Sequence, residues 1–288
     1  MLNQPDEIMA AFRGTALDGM AVEPVPDCDV LVVQWPEPGD VLTGWRAARD
    51  VMAVTGRRPV AVSDEHDGEL WFPEVEPADL ARIETAAFSL DPWPGMYGWN
   101  SDEPVETVDL ETVSYVLGFG PTGPEWDPDA LARELLPGIP APTTWNALNR
   151  HLLDQIWDDP ERLAQLRHPG GKETSGALGW YVPDRVQLAL LPTTSAWSPM
   201  AWLDYFGEDD PRVLAACLQQ WHQAWGAELV ASWGTMLQFV STRRPRFGPE
   251  AWTLARQQLA LGGSLQIPPM TLAWDLAHTD AWFLHDRP

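Results

Sequence analysis

Two apolar runs of strand length, each shut off by a proline, constrain this chain more than any other feature. Residues 29–35 run into Pro36 and residues 185–191 run into Pro192. A short continuous apolar run bounded by a breaker reads as a strand. Each run is followed by a helix with apolar residues at helical spacing. After the first, Asp40 offers an N-cap, Leu42, Trp45, Ala48, Val51 and Met52 share a face, and Gly56 supplies the stop. After the second, Asp210 caps and Pro211 opens a helix carrying Leu214, Cys217, Leu218, Trp221 and Trp225, stopped by Gly226.

The remaining elements extend this pattern. In the first half, residues 59–62 read as a strand and Asp67-Gly68 as a hairpin turn leading into 69–72. Pro77 opens a helix with Leu80, Ile83 and Phe88, residues 89–112 read as a long loop, and 113–119 as a closing strand. In the second half, 227–232 and 236–240 are strands about a turn at 233–235. Gly248-Pro249 opens a helix, another follows Pro268 and Pro269, and 281–284 is a terminal strand. Both halves give β-α-β-β-α-β, the order of a ferredoxin-like unit. The fold class expected is α+β, with two ferredoxin-like modules carrying antiparallel sheets. Expected boundaries are an acidic N-terminal module at 1–136, a Pro-rich linker and helical segment at 137–184, and a C-terminal module at 185–288. In the middle segment Thr144 caps a helix bearing Trp145, Leu148, Leu152 and Ile156, and Pro160 opens a shorter one.

Charge narrows the function classes. Lys and Arg number 18 against 42 Asp and Glu, a net charge of −24. A nucleic-acid surface needs basic stripes, so that class is disfavoured, as is adhesion to anionic lipid. No apolar run has the length of a membrane helix. The N-terminal residues carry neither a basic nor an apolar leader segment, and a cytoplasmic location is expected. Residues 1–150 hold 27 acids and 8 bases, and between 59 and 132 there are 17 acids and the single base Arg82. Such a run is either a solvated face or an electrostatic docking surface for a basic protein partner. The chain also carries 17 tryptophans. Most sit at helix or strand positions and read as core, whereas Trp93, Trp99 and Trp126 fall in loop sequence. Aromatic anchors beside carboxylates suit a binding surface, so Asp64, Glu65, Asp67, Glu69, Trp93, Trp99, Asp102 and Glu103 are the candidate partner-binding residues. A non-catalytic protein of the immunity or inhibitor type, bound to a basic partner, is the reading this favours.

Other chemistry is sparse. No nucleophile elbow, phosphate loop, metalloprotease motif or paired Cys-x-x-Cys is present, no catalytic residue is assigned and no cofactor is expected. Three arrangements stand as alternatives. His278, Asp280 and His285 could ligate a metal in a metal-dependent hydrolase. His151, Asp154 and Asp158 could share a helix face. His222, beside Trp221, reads as a partly buried, satisfied histidine. Cys217 reads as a small core residue, and Cys28 lies between Asp27 and Asp29, which disfavour its thiolate. A basic patch occurs at Arg243, Arg244 and Arg246. A structural subunit of a larger assembly is the third class.

Residues 188–195 (Leu-Ala-Leu-Leu-Pro-Thr-Thr-Ser), residues 218–230, with Trp221, Trp225 and Gly226 ahead of Leu229 and Val230, and the aromatic tail 280–286 are similar to segments of a bacterial family, domain of unknown function 4253. Residues 45–60 are similar to sequence that precedes that domain in actinobacterial members. The resemblance implies a fold rather than an activity. Phe206 to Asp210 and Gly262 to Leu265 depart from the family's pattern, where members often carry an Asn-His-Glu-Asn-type segment and a Cys-Pro-Asp.

Overall fold

The computed structural model describes residues 1–35, 40–63, 72–94, 103–118, 128–166 and 181–287. Among these, the N-terminal part holds α1 (Pro5–Ala11), β1 (Val22–Pro24), β2 (Leu31–Trp35), α2 (Val41–Asp50), α3 (Met52–Thr55), β3 (Arg58–Val62) and α4 (Pro77–Ser89). The middle is helical: α5 (Leu110–Gly118), α6 (Pro128–Leu135), α7 (Trp145–Ile156) and α8 (Pro160–Leu166). Then follow β4 (Val186–Leu191), α9 (Pro211–Trp225), β5 (Glu228–Ser232), β6 (Met236–Val240), α10 (Pro249–Leu261), α11 (Pro269–His278) and β7 (Ala281–His285).

Caps and stops follow the local chemistry. The Thr144 hydroxyl accepts from the Ala147 N–H at 3.2 Å and Asp210 accepts from the Arg212 N–H at 2.9 Å, each satisfying a helix-start donor. Gly56 and Gly226 end their helices in the left-handed region, at φ 70° and 62°.

The chain forms two units. The first comprises residues 1–94, 180–242 and 287–288, the second 95–179 and 243–286. These units cross the boundaries expected at 136 and 185. In the first, six strands are ordered β1-β2-β4-β3-β5-β6. All neighbours are antiparallel except β3 and β5, which are parallel. The sheet is therefore mixed, and the expectation of two separate antiparallel modules is corrected. β4 pairs with β2 through Leu31↔Leu190 to Trp35↔Val186 and with β3 through Arg58↔Leu191 to Val62↔Gln187. The reason lies in β4 itself. All six of its residues are buried, as are all five of β3. A strand covered on both faces belongs at a sheet's centre, where each edge finds a partner. Strands from both halves of the sequence meet that need together.

The core of this unit joins Ile8 and Phe12 of α1, Val33 and Trp35 of β2, Trp45 and Ala48 of α2, Leu188 and Leu190 of β4, and Val230 of β5. α2 approaches the sheet closely because Gly44 has no side chain. A Cβ there would lie 2.8 Å from the Trp35 indole. On another side, α4 lies along α9, and Trp93 stacks on Trp221 with ring centroids 5.9 Å apart.

Among its described residues the second unit is helical apart from β7. Val113, Val116 and Leu117 of α5, Leu131 of α6, Leu148, Leu152 and Ile156 of α7, and Trp252 and Met270 form its core. The strand expected at 113–119 is thus a helix over its described part. The Asp109 carboxylate accepts from the Thr112 N–H at 2.9 Å, which starts the helix, and the i, i+3, i+4 spacing of Val113, Val116 and Leu117 buries one face. That packing overrides the strand preference of the β-branched residues. The hairpin expected about Asp67-Gly68 lies outside the described residues.

Candidate functional site

Within the first unit, three clefts adjoin along the segment that enters α4. Pro73 lines all three. The first, about 530 Å³, has a floor of Met200, Ala201, Leu203 and Leu214, with Phe206 at its side and Asp204, Glu208 and Asp209 around it. The second, about 410 Å³, lies between the starts of α4 and α9 and is lined by Glu74, Asp79, Arg82, Asp210 and Arg212. The third, about 780 Å³, has Asp27, Asp29, Glu74 and Glu76 beside Leu80 and Trp202.

Local sequence explains the placement. Pro77 and Pro211 each stand at a first helical turn, where a missing N–H does no harm, and acidic residues gather just before and within those turns. Glu208 accepts from the Asp210 N–H at 2.9 Å, and the Phe206 N–H donates to the Gly234 carbonyl at 3.0 Å, which fixes the turn beside the first cleft. Phe206 is 51% exposed. Both arginines of these clefts are committed to their own helices. Arg82 pairs with Asp79, and Arg212 pairs with Asp210 at 2.6 Å. The hydrogen bonds from Arg212 hold the Asp210 carboxyl below its ordinary range despite some burial. Among the described residues, nine carboxylates line the three clefts (Asp27, Asp29, Glu74, Glu76, Asp79, Asp204, Glu208, Asp209, Asp210) against two arginines, each already paired. Such a face carries strong negative potential over an apolar floor.

Of the partner-binding residues expected from sequence, Asp64, Glu65, Asp67, Glu69, Trp99 and Asp102 lie outside the described residues. Trp93 belongs to the first unit and is half-buried. Its indole donates to the Gln220 side chain at 2.6 Å. Glu103 belongs to the second unit, is exposed, and its carbonyl accepts from the Trp145 N–H. Asp204, Phe206, Glu208 and Asp209 match no binding or catalytic motif. Their signal in the sequence is an acid-rich turn with one aromatic ahead of a proline-opened helix, of which Phe206 to Asp210 depart from the pattern of the resembled family.

The other candidates fall as follows. The His278 Nδ1 lies 2.7 Å from the Trp274 carbonyl and its ring sits over that indole. Asp280 is 3.8 Å from Arg244, and His285 stands on the same face of β7 as Phe283. Among the described residues, no group of three or more His, Cys, Asp or Glu is arranged to hold a metal ion. His151 and Asp154 line a cleft of about 610 Å³ in the second unit, where Asp154 accepts from Arg150 at 3.0 Å, while Asp158 follows the end of α7. His222 is half-buried and its Nδ1–H donates to the Ala227 carbonyl at 3.0 Å. Burial pushes the Cys217 thiol up, and Glu208 adds to it. Burial, followed by Asp29 and Asp27, raises the Cys28 thiol against a backbone hydrogen bond.

Two buried arginines stand at the start of β3, Arg57 just before it and Arg58 as its first residue. Arg57 donates to the carbonyls of Leu2, Asp29 and Leu190 and to the Asn3 side chain, tying the N-terminal residues to the sheet. Arg58 bonds Glu228 at 2.7 Å and the Thr194 carbonyl at 2.7 Å, and Arg49 bonds the same carboxylate at 2.6 and 2.8 Å. Burial pushes the Glu228 carboxyl up, yet the bonds and charges of the two arginines outweigh it and leave it below the ordinary value. The network holds the ends of β3 and β5 and the helix α2 together.

Residues 187–286 match the model of a family described as domain of unknown function (DUF4253). The matched stretch runs from β4 to β7. Neither a curated protein nor a solved structure matches the chain. No helix among the described residues is long and apolar enough to cross a membrane.

Proposed function

We propose that the chain is a non-catalytic binding protein that presents the acidic clefts at the starts of α4 and α9 to a basic protein partner, in the manner of an immunity or inhibitor protein. One observation carries this reading: among the described residues, nine carboxylates line three adjoining clefts, and the two arginines there are used up locally. Long-range attraction from such a face speeds encounter with a positively charged surface, and the apolar floor supplies area to bury on contact. The acidic residues Asp64, Glu65, Asp67 and Glu69 immediately precede this segment in sequence and belong to the same proposal.

The test is capture from host lysate at about 0.1 M and about 0.5 M salt, across which the Debye length falls from about 10 Å to about 4 Å. It is run on the wild-type chain and on a variant carrying Glu74→Lys, Glu76→Lys, Asp204→Lys and Asp209→Lys, all exposed positions. A basic protein held at low salt, released at high salt and lost with the variant is the expected result. Capture indifferent to both salt and charge reversal rules the reading out, as does capture of nothing.

A further inference from the structure

The first cleft differs from its neighbours in having an aromatic side. Among the described residues its lining includes three carboxylates, Asp204, Glu208 and Asp209, and no Lys, Arg or His. The floor is apolar, and the backbone at Phe206, whose side chain is 51% exposed, is tied to the Gly234 carbonyl. The nearest arginine in sequence, Arg212, is bound by Asp210 through both Nε and a terminal nitrogen and is not a lining residue. An apolar floor, an exposed ring and surrounding negative charge together describe the complement of one side chain. The guanidinium is planar, weakly hydrated, and able to lie on an aromatic face while donating in its plane to carboxylates. An ammonium group is more strongly hydrated and gains less from an apolar floor. We infer that this cleft receives an arginine side chain of the partner, with Phe206 as the ring it lies on and Asp204, Glu208 and Asp209 as its anionic surround. This rests on the proposed acidic docking face and assigns its specificity: arginine over lysine.

The experiment uses the full chain with two capped probes, hexa-arginine and hexa-lysine, titrated calorimetrically at low salt. The wild type should bind hexa-arginine several-fold more tightly than hexa-lysine. Phe206→Ala should weaken hexa-arginine about three- to tenfold, the range of a cation–aromatic contact, and leave hexa-lysine nearly unchanged. Phe206→Trp should retain or increase the preference. Equal affinity for the two peptides, or an arginine preference untouched by Phe206→Ala, overturns the inference. If the four-lysine variant still abolishes salt-sensitive binding in that case, the acidic face stands and only its arginine specificity fails. If neither peptide binds the wild type, both fall.

Discussion

Asp275 gives the sharpest quantitative test of the structure. It lies on α11 in the helical unit, 7% exposed, and burial alone raises its carboxyl from an ordinary 3.8 to about 7. No charge among the described residues offsets that burial. Between those two pH values the folded chain keeps a proton that the unfolded chain has released. Stability therefore falls as pH rises through this window, and the full penalty is present above pH 7. The gap between 3.8 and about 7 corresponds to about 4 kcal/mol, as an upper figure. Asp275→Asn has nearly the same shape and cannot ionise. Urea unfolding followed by circular dichroism should show the variant more stable than wild type by up to about 4 kcal/mol at pH 8, shrinking below about 2 kcal/mol at pH 5. A variant no more stable at pH 8, or a difference independent of pH, would refute the placement of this carboxyl in an apolar interior.

Three further outcomes are expected. Glu228→Ala leaves Arg58, 2% exposed, without its counter-charge and should cost about 3–5 kcal/mol in chemical denaturation. Because Arg49 and Arg58 hold Glu228 below its ordinary 4.5, the wild type's benefit from this network should be present above that pH and fade as pH falls through the lower, folded-state value. Gly44→Ala should drive a methyl group into the Trp35 ring and lower the melting temperature, with a loss of about 1–3 kcal/mol. Thr144→Ala removes the cap on α7 and should destabilise by about 1 kcal/mol, less than either of the other two changes, in the same assay.

Local elements were well marked in the sequence. Pro36 and Pro192 follow the strands they were expected to close, Gly56 and Gly226 take the left-handed stop, and Thr144 and Asp210 cap their helices. What was not legible was which strand lies beside which. The apolar run of β4 asks for two neighbours but does not say that both come from residues 31–62, because pairing is decided by the whole sheet rather than by adjacent residues. α5 reads as a strand in sequence for a related reason: Val113 and Val116 favour strands alone, and it is packing against α6, α7 and Met270 that buries a helical face. Arg57 and Arg58 gave no signal beyond two charges ahead of a strand, since their value depends on carbonyls and a carboxylate far along the chain. The acidity of residues 64–129 is plain in the sequence, whereas the cleft at Phe206 arises where a turn, a strand connection and the start of α9 meet.

The strand order has a consequence for the making of the protein. β2 and β3 leave the ribosome long before β4, the strand that lies between them. Until residue 191 is available, both strands expose an unpaired backbone edge that only the later sequence can close. The stretch 187–286 is in the complementary position, since β3 lies between its β4 and β5. A gene fragment cut to that stretch would encode a sheet with its middle strand missing, so the stretch the family model covers and the length of chain that completes the sheet are different.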